Sequence, residues 1–250
     1  LPIRLKQEER QGKTVKLLVI AGPPSAGKTA LVKQIVRHFV SEAKIAFLKI
    51  DVVKAYEDIE LANEFGILTR KVYSGDLCPD HAGVMVLGDA VAWAKAGGAD
   101  LFIVESAGLC LRCSPYLNQG LGIVVLSSIS GIHTPEKMGA MVSLADIAVV
   151  TKIDLVSQAE REVLVQKIRE VHPSVVLIET NALQGSSLQR LYQLIRLSDE
   201  VEEEGLLLKG NPPLGTCTIC VGKKEVGWKN HFGILQRLDG PLAECLYRGE

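Results

Sequence analysis

The sequence predicts an α/β fold, a mostly parallel sheet with helices on both faces. Two observations carry this. Short apolar runs alternate with stretches of helical length along the whole chain, the signature of βαβ units. The first such run, Val15 to Ile20, leads straight into Gly22-Pro23-Pro24-Ser25-Ala26-Gly27-Lys28-Thr29. That octapeptide fills every fixed position of the G-x4-GK[ST] motif. A helical stretch from Ala30 to Glu42 follows, with Leu31, Ile35, Val36 and Phe39 near helical spacing. Strand, glycine loop and helix in that order make a phosphate site, so the expected fold is that of a P-loop NTPase.

The remaining elements follow in order. Residues 45–50 read as a second strand ending in Asp51, and Tyr56 to Phe65 as a helix stopped by Gly66. Residues 69–73 form a short strand and 74–81 a polar loop. A helix over Gly83–Ala96 closes at Gly97-Gly98. Leu101 to Val104 is an apolar strand ending in Glu105. Gly122 to Leu126 is another strand, with a helix expected over Pro135–Leu144. Residues 147–150 form a strand that runs into Thr151-Lys152-Ile153-Asp154. Ser157 has the character of a helix N-cap, with Glu160 in the first turn and the helix running to about Val171. A last core strand spans 175–178 and a last core helix Leu188 to about Glu200. The acidic run Asp199–Glu204 and Gly205 mark an expected domain edge. Residues 1–204 then form the nucleotide-binding domain, and 205–250 a small cysteine-containing appendage.

Composition narrows the functional classes. The 250 residues carry a net charge of −1 with a pI of about 6.6. No basic stripe recruits nucleic acid or an anionic membrane, and neither is expected as a partner. No run approaches the roughly 18 apolar residues of a membrane span. The first residues, LPIRLKQEERQGK, lack the apolar centre of a signal peptide. A soluble cytoplasmic protein is expected. A chain of this size buries roughly 70–75% of its unfolded surface, so it needs no disulfide staples. Of its six cysteines, Cys110/Cys113 and Cys217/Cys220 form C-x2-C pairs. In a reducing compartment that spacing favours metal or redox chemistry.

The chemistry explains the motif residues. Gly22 and Gly27 let the backbone wrap a phosphate without side chains in the way. In the loop Pro23-Pro24-Ser25-Ala26, where the prolines have no N–H to give, the amide N–H groups of Ser25 and Ala26 and the helix N-terminus face the anion. Lys28 reaches the β- and γ-phosphates and the Thr29 hydroxyl ligates Mg²⁺. Ligands of such sheets sit at the C-terminal ends of the strands. There, Thr151-Lys152-Ile153-Asp154 fits the [NT]KxD guanine reader. The Asp154 carboxylate accepts from the base N1–H and N2–H groups while the stem of Lys152 packs along the ring. Asn181 and Ala182, in Thr180-Asn181-Ala182-Leu183, suit a second wall of the base pocket. Glu105-Ser106-Ala107-Gly108 stands where P-loop GTPases carry D-x-x-G, with Gly108 placed to sense the γ-phosphate.

Taken in order, GPPSAGKT, KIDVVK, SGDLCPDHA, ESAGL, TKIDL and TNALQG resemble the CobW/HypB/UreG family of GTPases over about residues 14–197. The resemblance implies a GTPase that dimerises with nucleotide and delivers a metal to a client metalloenzyme or another maturation factor. Lys28, Asp51 and Glu105 become the expected catalytic residues, and Thr29, Asp51 and Glu105 the expected Mg²⁺ set. Cys78 matches the first cysteine of the family's Cys-His pair, but Pro79 follows it and the histidine falls at His81. After Glu105 the family cysteine would fall on Arg112, with Cys110 and Cys113 to either side.

Cys78, His81, Cys110 and Cys113 are therefore the candidate ligands for Ni²⁺ or Zn²⁺. Across a two-fold dimer, Cys110 and Cys113 would supply four thiolates, a set that suits Zn²⁺ or a [4Fe–4S] cluster. Cys217 and Cys220, with His231 and Cys245 beyond, form a second candidate site. Two functions follow: a GTP-hydrolysing metallochaperone, or a nucleotide-gated iron–sulfur protein acting in electron transfer or cofactor maturation. A small-metabolite kinase is the third class. TKID argues against it, because a kinase has no need of a guanine reader.

Overall fold

The structure, a computed structural model, describes residues 14–52, 56–75, 77–108, 110, 112–212, 222–231, 234–236 and 246–248. Buried apolar runs become the strands β1 (Val15–Ala21), β2 (Ile45–Asp51), β3 (Leu68–Tyr73), β4 (Leu101–Ser106), β5 (Leu121–Ser127), β6 (Ile147–Thr151) and β7 (Val176–Glu179). These are parallel, in the order β3-β2-β4-β1-β5-β6-β7. A parallel sheet covered on both faces needs near-continuous apolar strands rather than alternation, and Leu17 to Ala21 are buried without a break.

The helices are α1 (Lys28–Phe39), α2 (Glu57–Phe65), α3 (Pro79–Ala96), α4 (Thr134–Met138), α5 (Ala140–Ser143), α6 (Gln158–Val171) and α7 (Gln189–Leu197). One apolar layer joins Leu31, Ile35, Leu61 and Leu191 from α1, α2 and α7 to one face of the sheet. The other joins Met85, Leu87, Val91, Met141, Leu164 and Ile168 from α3, α5 and α6 to the opposite face. The Ser157 cap is present as a full capping box with Glu160.

Three expected boundaries are corrected. The helix placed at Gly83 starts at Pro79, because Pro79 occupies the first turn and Cys78 caps it; proline suits that position, where its missing N–H has no intrahelical role. His81 thus lies in a helix, not in the polar loop. The helix expected over 135–144 breaks into α4 and α5 at Gly139, whose φ of 36° no helix accommodates. The last core helix ends at Leu197, and Glu200–Val201 form β8, antiparallel to β1. There is a register reason for β8. On that side β5 joins β1 only from Leu18 onward, and β8 takes Val15 and Lys16 below it.

Beyond β8, Leu206 and Leu208 are buried in the same apolar layer as α3. Leu208 bridges to Leu117, Leu207 bridges to Glu225, and the Gly227 N–H donates to the Val84 carbonyl at 2.9 Å. Strands β9 (Ile234–Gln236) and β10 (Leu246–Arg248) pair antiparallel. Cys217, Cys220 and Cys245 lie outside the described residues. No helix among the described residues is long and apolar enough to cross a membrane.

Candidate functional site

The strand order decides what meets the glycine loop. β1 feeds the loop and lies between β4 and β5, so the ends of β2 and β4 open beside it. A cleft of about 460 Å³ results, lined by the loop together with Lys49, Asp51, Glu57, Glu105 and Ala107. Ser25 and Gly27 take positive φ of 58° and 90°, which turns the loop tightly into α1. Lys28, which is buried, donates to the carbonyls of Gly22 and Pro23, both at 2.9 Å. Burial pulls its pKa below the ordinary lysine value, the nearby Glu105 opposing.

Glu105 is the centre of the polar set. Its carboxylate accepts from the Thr29 hydroxyl at 3.0 and 3.2 Å and from the Lys49 ammonium at 2.6 Å. Lys49 also lies 3.5 Å from Asp51 and 3.6 Å from Glu57. Burial works against the charge on Lys49. The carboxylates of Glu105, Glu57 and Asp51 outweigh it and hold the lysine pKa above its ordinary value. The other oxygen of Glu57, Oε2, is buried with no hydrogen-bond partner among the described residues.

Sequence reasoning missed Lys49 and Glu57. Lys49 lies inside the strand read over residues 45–50, where only the terminal Asp51 is singled out. Strand side chains alternate, so a lysine two residues before Asp51 points to the same side as that carboxylate, and this signal was present. Gly108 closes the cleft from β4: with φ of 58°, the position its Cβ would take is 2.6 Å from the Gly22 nitrogen. Gly22 in turn has no room for a side chain, since a Cβ there would stand 2.2 Å from the Val125 carbonyl oxygen.

The base-reading residues are tied to the loop. Thr151 donates to the Ala26 carbonyl at 2.6 Å, and Lys152, in a left-handed conformation with φ of 57°, donates to the Ser25 carbonyl at 2.8 Å. Asp154 is exposed on the short turn Ile153–Leu155 that follows. The Asn181 side chain accepts from the N–H groups of Leu183 and Gln184 at 3.1 and 3.3 Å. Gln34 of α1 donates to the carbonyls of Ala182 and Leu183. Both motifs are therefore fixed to the elements that carry the glycine loop.

A second polar cluster lies across the same strand end. Glu105 faces the cleft; Ser106, its neighbour, faces α3 and donates to Asp80 at 3.3 Å. Asp80 is buried, which pushes its carboxyl up to about 7, with the charge of Cys110 adding to the effect. The Sγ atoms of Cys110 and Cys113 are 3.1 Å apart, and Cys78 also bonds Cys110. These shared hydrogen bonds pull the Cys110 thiol below its ordinary range and push those of Cys113 and Cys78 up. His81 gives its backbone N–H to Cys78 at 3.4 Å and meets His231 edge-on at 5.3 Å. Among the described residues no group of three or more His, Cys, Asp or Glu side chains is arranged to hold a metal ion.

Fold and cleft together define a P-loop nucleotide-binding protein. Residues 16–179 match the CobW/HypB/UreG nucleotide-binding domain, and the chain belongs to that family. An uncharacterised protein, MJ0120, from Methanocaldococcus jannaschii is 39% identical over 94% of this chain and its own full length. A probable hydrogenase maturation factor HypB from the same organism is 25% identical over 66% of this chain and 75% of its own. Among solved structures, HypB from Helicobacter pylori in complex with nickel superposes with a TM-score of 0.60. It covers 73% of this chain and 86% of that one at 20% identity, a likeness of fold.

Proposed function

We propose that this chain is a GTP-binding and GTP-hydrolysing metallochaperone that hands a metal ion or metallocluster to a client metalloenzyme. One observation carries the reading. Gly108, packed on the first glycine of the phosphate loop, stands two residues from Cys110. Two residues span at most about 7 Å, so a rearrangement that lifts Gly108 also moves that thiol.

The chain's own groups divide the work. Lys28 and the loop amides bind and orient the phosphates. Asp154 and Lys152 select guanine, backed by Asn181 and Ala182. Glu105 and Asp51, which line the same cleft, would orient a water for attack on the γ-phosphate. The donors Thr29, Asp51, Glu57 and Glu105 are all hard oxygens, and one of them, Glu57 Oε2, is buried and has no partner among the described residues, a set that fits Mg²⁺. When bound through Thr29, Asp51 and Glu105, Mg²⁺ would neutralise charge on the phosphates.

The cargo metal is handled on the other side of the β4 end. Cys110 and Cys113 supply two thiols per chain, with Cys78 and His81 beside them, and a nucleotide-dependent homodimer would double the set. Ni²⁺ is the reading that the family's hydrogenase and urease members favour; Zn²⁺ fits the same thiols. The deciding experiment measures phosphate release from GTP and ATP with no acceptor added. It also titrates Ni²⁺ and Zn²⁺ into the GDP form and a form holding a non-hydrolysable GTP analogue. Preference for GTP with different metal affinity in the two forms supports the reading. Equal use of ATP, or metal affinity blind to nucleotide, rejects it.

A further inference from the structure

The cleft contains a cation that the glycine motif does not call for. Lys49 has a side chain only 4% exposed, and Glu105, its closest partner, only 1%. Three carboxylates converge on it: Glu105 at 2.6 Å, Asp51 at 3.5 Å and Glu57 at 3.6 Å. All three line the same cleft as Lys28 and Thr29.

We infer that Lys49 is a built-in counter-ion that keeps divalent cations out of this cleft until a nucleoside triphosphate is bound. The inference rests on the nucleotide reading above and adds an order of loading to it. Three carboxylates beside a hydroxyl are hard-oxygen donors of the kind a divalent cation takes; drawn onto the ammonium, they are not arranged to hold an ion as they stand. With the ammonium among them, much of that charge is already answered. A divalent ion arriving alone meets a like charge at the point where the three carboxylates converge. Repulsion there is strong, because buried charges are poorly screened. A triphosphate changes the balance. Its own negative charge lets the ammonium and the divalent ion share the cleft, so metal and nucleotide arrive as a pair.

The competing account is a buried ion pair with no part in loading. Such pairs contribute little to stability against an apolar isostere. That account predicts no change in divalent affinity when the ammonium is removed. It also gives no reason for the lysine to contact three carboxylates that all open on one cleft.

The test uses the intact chain and Mn²⁺ as the probe, with free Mn²⁺ followed by electron paramagnetic resonance. Wild type, Lys49→Met and Lys49→Arg are titrated without nucleotide and with a non-hydrolysable GTP analogue. Without nucleotide, Lys49→Met is expected to bind Mn²⁺ at least about tenfold more tightly than wild type, and Lys49→Arg to match wild type. With the analogue, wild type is expected to gain at least about tenfold in affinity and Lys49→Met much less. Equal Mn²⁺ affinity of wild type and Lys49→Met without nucleotide overturns the inference. So does a wild type that binds Mn²⁺ as tightly without nucleotide as with it, a comparison that stands even if Lys49→Met does not fold. Failure of the GTPase reading looks different: the analogue then does not bind wild type at all, while the nucleotide-free comparison still reports on Lys49.

Discussion

Replacing Gly108 by alanine tests whether the β4 loop must rest on the phosphate loop. Two effects act together. The φ of 58° places residue 108 in the left-handed region, which costs an L residue roughly 1–2 kcal/mol. The new Cβ would also stand 2.6 Å from the Gly22 nitrogen and 2.8 Å from its oxygen. These are backbone atoms held by β1, so no side-chain rotation relieves the contact. Overpacking of this kind costs typically about 1–3 kcal/mol. Both terms vanish if the loop swings away from Gly22, so together they favour the displaced loop by roughly 2–5 kcal/mol. Taking about 3 kcal/mol, a ligand that needs Gly108 in place loses about 100-fold in affinity. A ligand without a γ-phosphate loses little. Fluorescent GDP and a fluorescent non-hydrolysable GTP analogue, titrated into wild type and Gly108→Ala, read this directly. The analogue is expected to weaken about 100-fold and GDP less than about threefold. If both ligands bind the variant as they bind wild type, or both weaken equally, Gly108 does not sense the γ-phosphate.

Further outcomes are expected. Asp154→Asn should weaken GTP by a few kcal/mol through two lost base hydrogen bonds and improve xanthosine triphosphate, measured by competition binding; unchanged GTP affinity would remove Asp154 from base recognition. Lys28→Ala should abolish phosphate release, and wild-type turnover without a partner should be slow, because an arginine finger is worth roughly 10³–10⁵ in rate and none is expected here; turnover in the hundreds per second would contradict this. Ser157→Ala should cost about 1 kcal/mol by loss of the α6 cap, read by thermal melting. That cost should also depend on pH. The Ser157 backbone N–H and then its hydroxyl hold the Glu160 carboxyl below its ordinary value. The contribution is present above the ordinary glutamate pKa and lost as pH falls through the lowered one; the variant keeps the backbone N–H and loses only the hydroxyl's share, so the gap between wild type and variant should narrow in acid without closing.

How much was legible follows from what sets each element. The buried strands were readable because a doubly covered parallel sheet demands unbroken apolar runs such as Leu17 to Ala21. The glycine motif was readable because its residues are fixed by backbone geometry. β8 was not, since two residues in an acidic run carry no strand pattern of their own. Their pairing depends on where β5 begins along β1. The break at Gly139 was hidden because apolar residues continue on both sides of it. The start of α3 was misplaced because Ser74 to His81 is polar, although Pro79 is a helix-start signal. In the cleft, the motif residues were found by type, whereas Lys49 and Glu57 came together only through the adjacency of β2, β4 and α2. Cys110 and Cys113 were recognised by spacing. The bond of Cys110 to Cys78 depends on where Cys78 sits as the cap of α3.

The short pairing of β8 with Val15 and Lys16 gives the C-terminal segment a mechanical connection. β1 ends in the phosphate loop, and seven residues of strand span about 23 Å. A pull on the chain just beyond Val201, before the anchored Leu206, is therefore delivered to the root of the strand that leads into Gly22 and Lys28. A partner that grips residues past 201 would need no contact with the nucleotide to load the strand that holds it. Single-molecule stretching from the C-terminal end should release the contacts of Gly227 and of Leu206 to Leu208 before it strips β8 from β1, and the force at the β8 step should differ when a nucleotide stiffens the far end.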